Sequence, residues 1–154
     1  MPSLQLRFCV KAIVEEPIEI GRCDETLVGR RRLVPVTGGT VEGDGFNGVV
    51  LPGGVDSQVI HPNGKADISA RYGLRFDDGT SIYIQNDGLR TVPAEDAKTV
   101  LEGGYVDPSH YYFVTSPQFE VYDESRQWMT QKLWVCTGIR KPDSVAISYY
   151  TVEL

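Results

Sequence analysis

Soft metal ligands are scarce in this chain. Its 154 residues include three cysteines, Cys9, Cys23 and Cys136, and two histidines, His61 and His110. The cysteine count is odd and no pair stands in a CxxC spacing. Three reduced thiols in a cytoplasmic protein are therefore expected, with neither a disulfide framework nor a zinc site. Basic charge is also short: 15 Lys and Arg against 21 Asp and Glu give a net charge of −6. Nucleic acid is not an expected partner, because phosphate binding needs a basic face. The one dense basic run, Arg30-Arg31-Arg32, reads as a strand start with acidic neighbours. No run approaches the ~18 apolar residues that span a bilayer. The N-terminal residues lead into an alternating strand without the apolar core of a signal peptide, so no membrane segment is expected. Cofactor signatures are missing too: no GxGxxG after a strand, no Walker loop, no HExxH and no GxSxG elbow. Gly43 to Gly48 is glycine-rich but lies between short strands and reads as a turn. Neither a metal nor a cofactor is expected.

Turn formers and period-2 alternation are what the chain has in quantity. Sixteen Gly and nine Pro punctuate it. Ala66, Ile68, Ala70, Tyr72 and Leu74 alternate with polar residues, and Ile82 and Ile84 do the same beyond Asp77-Asp78-Gly79. Alternation on both sides of an Asp-Gly step predicts a β-hairpin. Its polar faces carry Asp67, Arg71, Tyr83 and Gln85, where a site could be built. The same pattern predicts strands over residues 4–14, 32–37, 40–42, 48–51, 55–60, 111–115, 119–122, 128–139 and 145–152, with a bend at Gly38-Gly39. Pro93 followed by Glu95 and Asp96, with Gly103-Gly104 as a stop, predicts one short α-helix near 94–102. The expected fold is all-β: a single antiparallel β-barrel of about eight to ten strands, calycin- or lipocalin-like, occupying 1–154 as one domain. Closure removes exposed edges, and a barrel of about eight strands either fills with side chains or holds one small ligand. A two-sheet sandwich is the alternative on the same pattern.

A string of short motifs runs in order along the chain. It begins with Arg32-Leu-Val-Pro-Val-Thr-Gly-Gly-Thr-Val-Glu-Gly and Leu51-Pro-Gly-Gly-Val-Asp-Ser-Gln, then Ala70-Arg-Tyr, Asp77-Asp-Gly, Ile82-Tyr and Asn86-Asp-Gly. It continues with Tyr111-Tyr-Phe, Phe119-Glu, Trp128-Met-Thr and Cys136-Thr-Gly-Ile-Arg140. Over roughly residues 5–153 this resembles the domain of unknown function 3237 family. The resemblance implies a compact antiparallel β-barrel. Fungal members tend to sit among secondary-metabolite genes, and some look like cofactor-free cyclases or isomerases; one such reaction adds a hydroxyl across an alkene to close an oxygen ring. Two positions depart from the family pattern: Ser57 stands where Trp is usual, and Val114 where Arg is frequent. Both are expected to reshape a pocket.

Several residues are candidates for chemistry. Asp56 and Gln58, two apart, share one strand face. They are either a carboxylate and amide aimed into a cavity or, for Asp56, a cap on the backbone of the Gly53-Gly54 turn. Arg71 is either a solvated strand residue or a fixed cation that steadies an oxyanion. Glu120 shares a face with Tyr122 and is either an acid–base group or part of a stabilising pair. Trp128 is a stacking wall or a core aromatic. Joined to the resemblance, these residues give the functional expectation of a cofactor-independent cyclase or isomerase acting on a small, partly aromatic polyketide-like metabolite. Asp56, Arg71 and Glu120 are the expected catalytic residues, facing one cavity. Gln58, Tyr83, Tyr112 and Trp128 are the expected substrate contacts. The alternatives are a non-catalytic small-molecule carrier and a structural module, and a homo-oligomer is a further possibility.

Overall fold

The strand pattern closes on itself. The computed structural model describes every residue, Met1 to Leu154. Its strands are β1 (Ser3–Val14), β2 (Ile18–Cys23), β3 (Gly29–Glu42), β4 (Gly48–Val50), β5 (Gly54–Ile60), β6 (Ala66–Phe76), β7 (Ser81–Thr91), β8 (Tyr112–Val121), β9 (Trp134–Arg140) and β10 (Ser144–Glu153). One α-helix, α1 (Ala94–Leu101), follows β7. Short 3₁₀ segments span Pro108–His110 and Glu124–Gln131. The ring runs β1-β10-β9-β8-β7-β6, then through β4 and β5, which lie in series, to β3, which pairs back to β1. Every pairing between these strands is antiparallel. The result is a closed eight-stranded barrel, with β4 and β2 as two extra strands. The sandwich alternative is excluded by the β1–β3 seam.

That seam depends on one glycine. Gly39 pairs with Ala12 and has φ +139°. A Cβ there would lie 1.9 Å from the Lys11 carbonyl oxygen, so only glycine lets the two strands approach. The β6–β7 hairpin keeps continuous register from Ala66↔Arg90 to Arg75↔Ser81. In its turn the Phe76 carbonyl accepts from the Gly79 N–H at 2.9 Å, and Asp78 accepts from both the Thr80 N–H and hydroxyl.

The two ends of the barrel differ. One end is filled by aromatic rings: Phe8 stacks on Phe46 and Tyr149 at 4.8 and 4.4 Å, and Trp134 meets Phe119 edge-on at 5.0 Å. Full burial of each such ring contributes roughly 2–3 kcal/mol. The buried Arg126 closes this end. Its guanidinium donates to Thr80 Oγ1, the Gly45 carbonyl and Asp78, and lies 3.8 Å from the centre of the Phe76 ring. At the opposite end α1 and the segment after it pack Val100 with Val92, Val106 and Tyr111. Here the interior is not filled by side chains.

Four expectations are corrected. Gly38-Gly39 does not bend the chain but lies within β3, where Gly39 permits the close approach. The segments 111–115 and 119–122 form one strand, β8. Residues 128–133 are not strand: Asp123 accepts from the Ser125 N–H and starts a 3₁₀ segment, and β9 begins only at Trp134. Finally β2, which Pro17 and Gly21 hid in the sequence, continues beyond β1 along the same edge of β3.

Candidate functional site

Successive strand residues point to opposite sides of a sheet, so in a closed barrel one parity faces in. On β7 the inward positions are Ile82, Ile84, Asn86, Gly88 and Arg90, and on β9 they are Trp134, Cys136, Gly138 and Arg140. Both series start apolar at the aromatic-filled end and become polar towards α1. The same change puts Arg32 inward on β3, Asp56 and Gln58 on β5 and Thr115 on β8. Asp56, Gln58, Asn86, Arg90, Thr115 and Arg140 line a cavity whose remaining wall is mainly apolar, including Val34, Ile68, Phe113 and Val145. The cavity itself is about 50 Å³, and about 620 Å³ when its open mouth and the crevices between side chains are included.

A relay of hydrogen bonds fixes the acid. Arg32 Nε donates to Gln58 Oε1 at 2.8 Å, and Gln58 Nε2 donates to Asp56 Oδ2 at 2.7 Å. The Ser69 backbone N–H donates to Asp56 Oδ1 at 3.0 Å. Arg32 Nη1 also donates to the Leu101 carbonyl at 3.2 Å, tying the relay to the end of α1. Asp56 is half-buried. Burial pushes its carboxyl above the ordinary carboxylate range, opposed by its two donors and by the charges of Arg90 and Arg32.

Three buried arginines surround that single acid: Arg32, Arg90 and Arg140 are 3%, 3% and 7% exposed. Burial lowers all three, and Arg90 most, to about 10, with Arg32 and Arg140 adding repulsion and Asp56 opposing it. Arg90 sits 5.5 Å from the Phe113 ring centre, and its buried Nε has no hydrogen-bond partner. Arg140 Nη1 reaches the Ser144 carbonyl only at 3.4 Å. Deeper in, the Tyr72 and Tyr149 hydroxyls are hydrogen-bonded to each other, and burial raises both. Asn86 Nδ2 donates to Cys136 Sγ at 3.8 Å while Asn86 Oδ1 is unpartnered. Burial pushes the Cys136 thiol up to about 12.

Of the residues singled out in the sequence, Asp56 and Gln58 face the cavity. Arg71, Glu120, Tyr83, Tyr112 and Trp128 do not line it, which corrects the expectation that Asp56, Arg71 and Glu120 meet. Arg71 lies on the outer face of β6, bonded to Ser69 Oγ at 3.1 Å and 3.5 Å from Asp87. Glu120 is exposed and accepts from the Tyr122 hydroxyl at 3.0 Å, with Tyr83 opposite it in register on the outer face. Tyr112 opens β8 at 53% exposure. Trp128 packs on Phe46, Trp134 and Arg7 at the filled end. Parity is the cause: the polar face of the β6–β7 hairpin meets solvent, and the apolar face meets the cavity. Ser57, bonded to Arg31, and Val114 are also on outer faces, so neither departure from the family pattern touches the cavity. Missed in the sequence were Arg32, Tyr72, Asn86, Arg90 and Arg140. The signal that marks four of them is a polar residue at an inward, otherwise apolar, strand position.

No group of three or more His, Cys, Asp or Glu side chains gathers within metal-binding reach. No helix is long and apolar enough to cross a membrane.

Residues 2–152 match the family described as Protein of unknown function (DUF3237). A UPF0311 protein of Clostridium acetobutylicum is 48% identical over 146 residues, covering 95% of this chain and 91% of that protein. The crystal structure of a conserved protein of unknown function from Rhodopseudomonas palustris superposes with a TM-score of 0.92 at 35% identity, over 99% of this chain and 98% of that one. An enzyme from Penicillium herquei shares the fold with a TM-score of 0.72 at 18% identity, over 99% of this chain and 95% of that one.

Proposed function

The chain belongs to the DUF3237 family, and we propose that it is a cofactor-independent cyclase or isomerase of a small, partly aromatic metabolite. The observation that carries this reading is Asp56, an enclosed carboxyl held by two donors in a cavity that also presents Arg90 and Arg140. A carboxyl raised towards neutrality can take a proton and return it within one cycle. Consider a hydroxyl adding to an alkene conjugated with a carbonyl. Ionised Asp56 takes the hydroxyl proton as the oxygen–carbon bond forms. The alkene electron pair moves onto the carbonyl oxygen, where Arg90 and Arg140 stabilise the charge. Asp56 then returns the proton to the adjacent carbon. The product is an isomer of the substrate, so no electrons are exchanged with a partner. Arg32 and Gln58 are positioning residues that hold the carboxyl in place.

The likeness to the Penicillium herquei enzyme supports a catalytic use of this barrel, although a shared fold alone carries no chemistry. Free Cys9, Cys23 and Cys136 suit the cytoplasm as its place of work. A non-catalytic carrier would use the apolar wall and have no need of Asp56. The test is closure of 2′-hydroxychalcone to flavanone, followed by absorbance. The wild-type protein should accelerate closure, and Asp56→Asn should lose at least ~100-fold with its circular dichroism unchanged. Saturable binding of the chalcone without acceleration would move the reading to a carrier.

A further inference from the structure

We infer that the ligand of this cavity arrives as an anion: a small organic molecule with planar, delocalised negative charge, either a carboxylate or a vinylogous acid. The inference rests on the same cavity as the proposed reaction and names the class of molecule that fills it.

The argument starts from charge. Arg90 and Arg140 are buried on the same cavity wall as Asp56, its one carboxyl, while the buried Arg32 stands behind Gln58 at the adjoining cleft. Even with Asp56 ionised, the two arginines on the cavity wall leave one positive charge over. None of the three guanidinium groups stands within ion-pair distance of any carboxylate, although ten such pairs occur elsewhere in the protein. A buried charge without a partner is costly, and replacing it with an apolar side chain is often stabilising. A standing excess of guanidinium fits a standing negative charge.

Geometry narrows the class. Arg90 Nε is buried and unpartnered, and so is Asn86 Oδ1 on the same wall. The face of Phe113 flanks the Arg90 guanidinium. A guanidinium presents its N–H groups as a planar fork that matches the two oxygens of a carboxylate or of an enolised 1,3-dione. Asn86 can offer either its amide N–H or its carbonyl, since Cys136 is its one present partner. The apolar wall formed by Val34, Ile68 and Val145 suits the body of an organic anion better than an inorganic ion.

An opposing feature lies outside. The adjoining surface cleft shares Val14 and Arg140 with the cavity and carries Glu15, Glu16, Glu19, Glu102 and Asp143 together with Arg30 and Arg32. Surface charges are screened over ~8–10 Å at physiological salt, whereas buried ones are screened much less. The acidic rim therefore slows entry of an anion without cancelling the attraction inside.

Isothermal titration calorimetry at pH 7.5 tests this with two matched pairs. Benzoate is set against benzamide, and the cyclohexane-1,3-dione anion against neutral cyclohex-2-enone. At least one anion should bind ten-fold or more tightly than its neutral counterpart, and which one does so distinguishes carboxylate from vinylogous acid. Arg90→Met and Arg140→Met should each weaken that anion at least ten-fold, leave the neutral molecule unaffected and keep the wild-type melting temperature or raise it. The inference is overturned if the neutral molecules bind as tightly as the anions, or if neither anion binds saturably up to about 20 mM. The comparison on the wild-type protein decides the matter even should a variant misfold. Asp56→Asn separates this inference from the proposed reaction: it should lose at least ~100-fold of the acceleration of chalcone closure yet bind the anion as well as or better than wild type. Retained anion preference with no closure by the wild-type protein would sink the reaction alone.

Discussion

Asp56 and Arg71 show what a residue's place on a strand does to its chemistry. Both are charged residues in the middle of strands. Asp56 points into the barrel and loses water, while Arg71 points out and shares solvent with Asp87. Burial raises the Asp56 carboxyl in the folded state, so the folded protein holds that proton to higher pH than the unfolded chain does. Its contribution to stability is complete below the ordinary carboxylate value near 4 and is lost as pH rises through the raised folded value. Wild-type stability should therefore fall relative to Asp56→Asn across that window and run parallel to it above, as read by urea unfolding at a series of pH values. The amide introduced by Asp56→Asn cannot accept from both Gln58 and Ser69, so a pH-independent loss of about 1 kcal/mol is expected on top. Arg71→Met, outside the barrel, should change stability by less than ~0.5 kcal/mol at every pH. A parallel pair of curves for wild type and Asp56→Asn throughout would show that Asp56 is not perturbed.

At the level of strands, the closing seam rests on backbone proximity rather than on side-chain packing. Gly39 and Gly38 stand next to each other on β3, yet they face different surroundings. A methyl group on Gly39 meets the Lys11 carbonyl at 1.9 Å in a φ region L residues rarely adopt, whereas one on Gly38 meets nothing closer than 4.0 Å. A clash with backbone cannot be relieved by turning a side chain. Gly39→Ala should thus destabilise the protein by more than ~3 kcal/mol, or prevent folding, while Gly38→Ala changes it by less than ~1 kcal/mol. Denaturant midpoints of the two variants check this, and similar midpoints would mean that the β1–β3 seam can spread apart.

For the molecule as a whole, the first strand joins the last. β1 pairs with β10 from Ser3↔Glu153 to Ile13↔Ser144 and with β3 on its other edge. It also supplies Phe8 to the aromatic plug and Ala12 to the cavity wall. Contacts so distant in sequence make refolding slow, on the scale of milliseconds to seconds. They also make the barrel indivisible. Deleting residues 1–11 should open two strand edges, expose the aromatic end and abolish the cooperative melting transition in far-ultraviolet circular dichroism. A truncated chain that still melted cooperatively near the wild-type temperature would show that β3 and β10 can close the barrel without β1.

Local physics was legible in the chain itself. Alternation around Asp77-Asp78-Gly79 placed the β6–β7 hairpin, Pro93 and Gly103 bracketed α1, and the spacing of Asp56 and Gln58 put both on one face. These features depend on neighbours within a few residues, where backbone geometry and side-chain period suffice. Sequence also determined that the strands have two faces, but not which polar residues would lie on the inner one. Arg90 and Arg140 lie far along the chain from Asp56, on β7 and β9, and each reads alone as an ordinary surface cation. Only closure of the barrel turned them inward together, beside Gln58 and Arg32, and sent Arg71 and Glu120 out to solvent. Burial, and with it the raised carboxyl and the uncompensated positive charge, is a property of that enclosure, because it depends on which strands stand opposite one another rather than on which residues are adjacent in the chain.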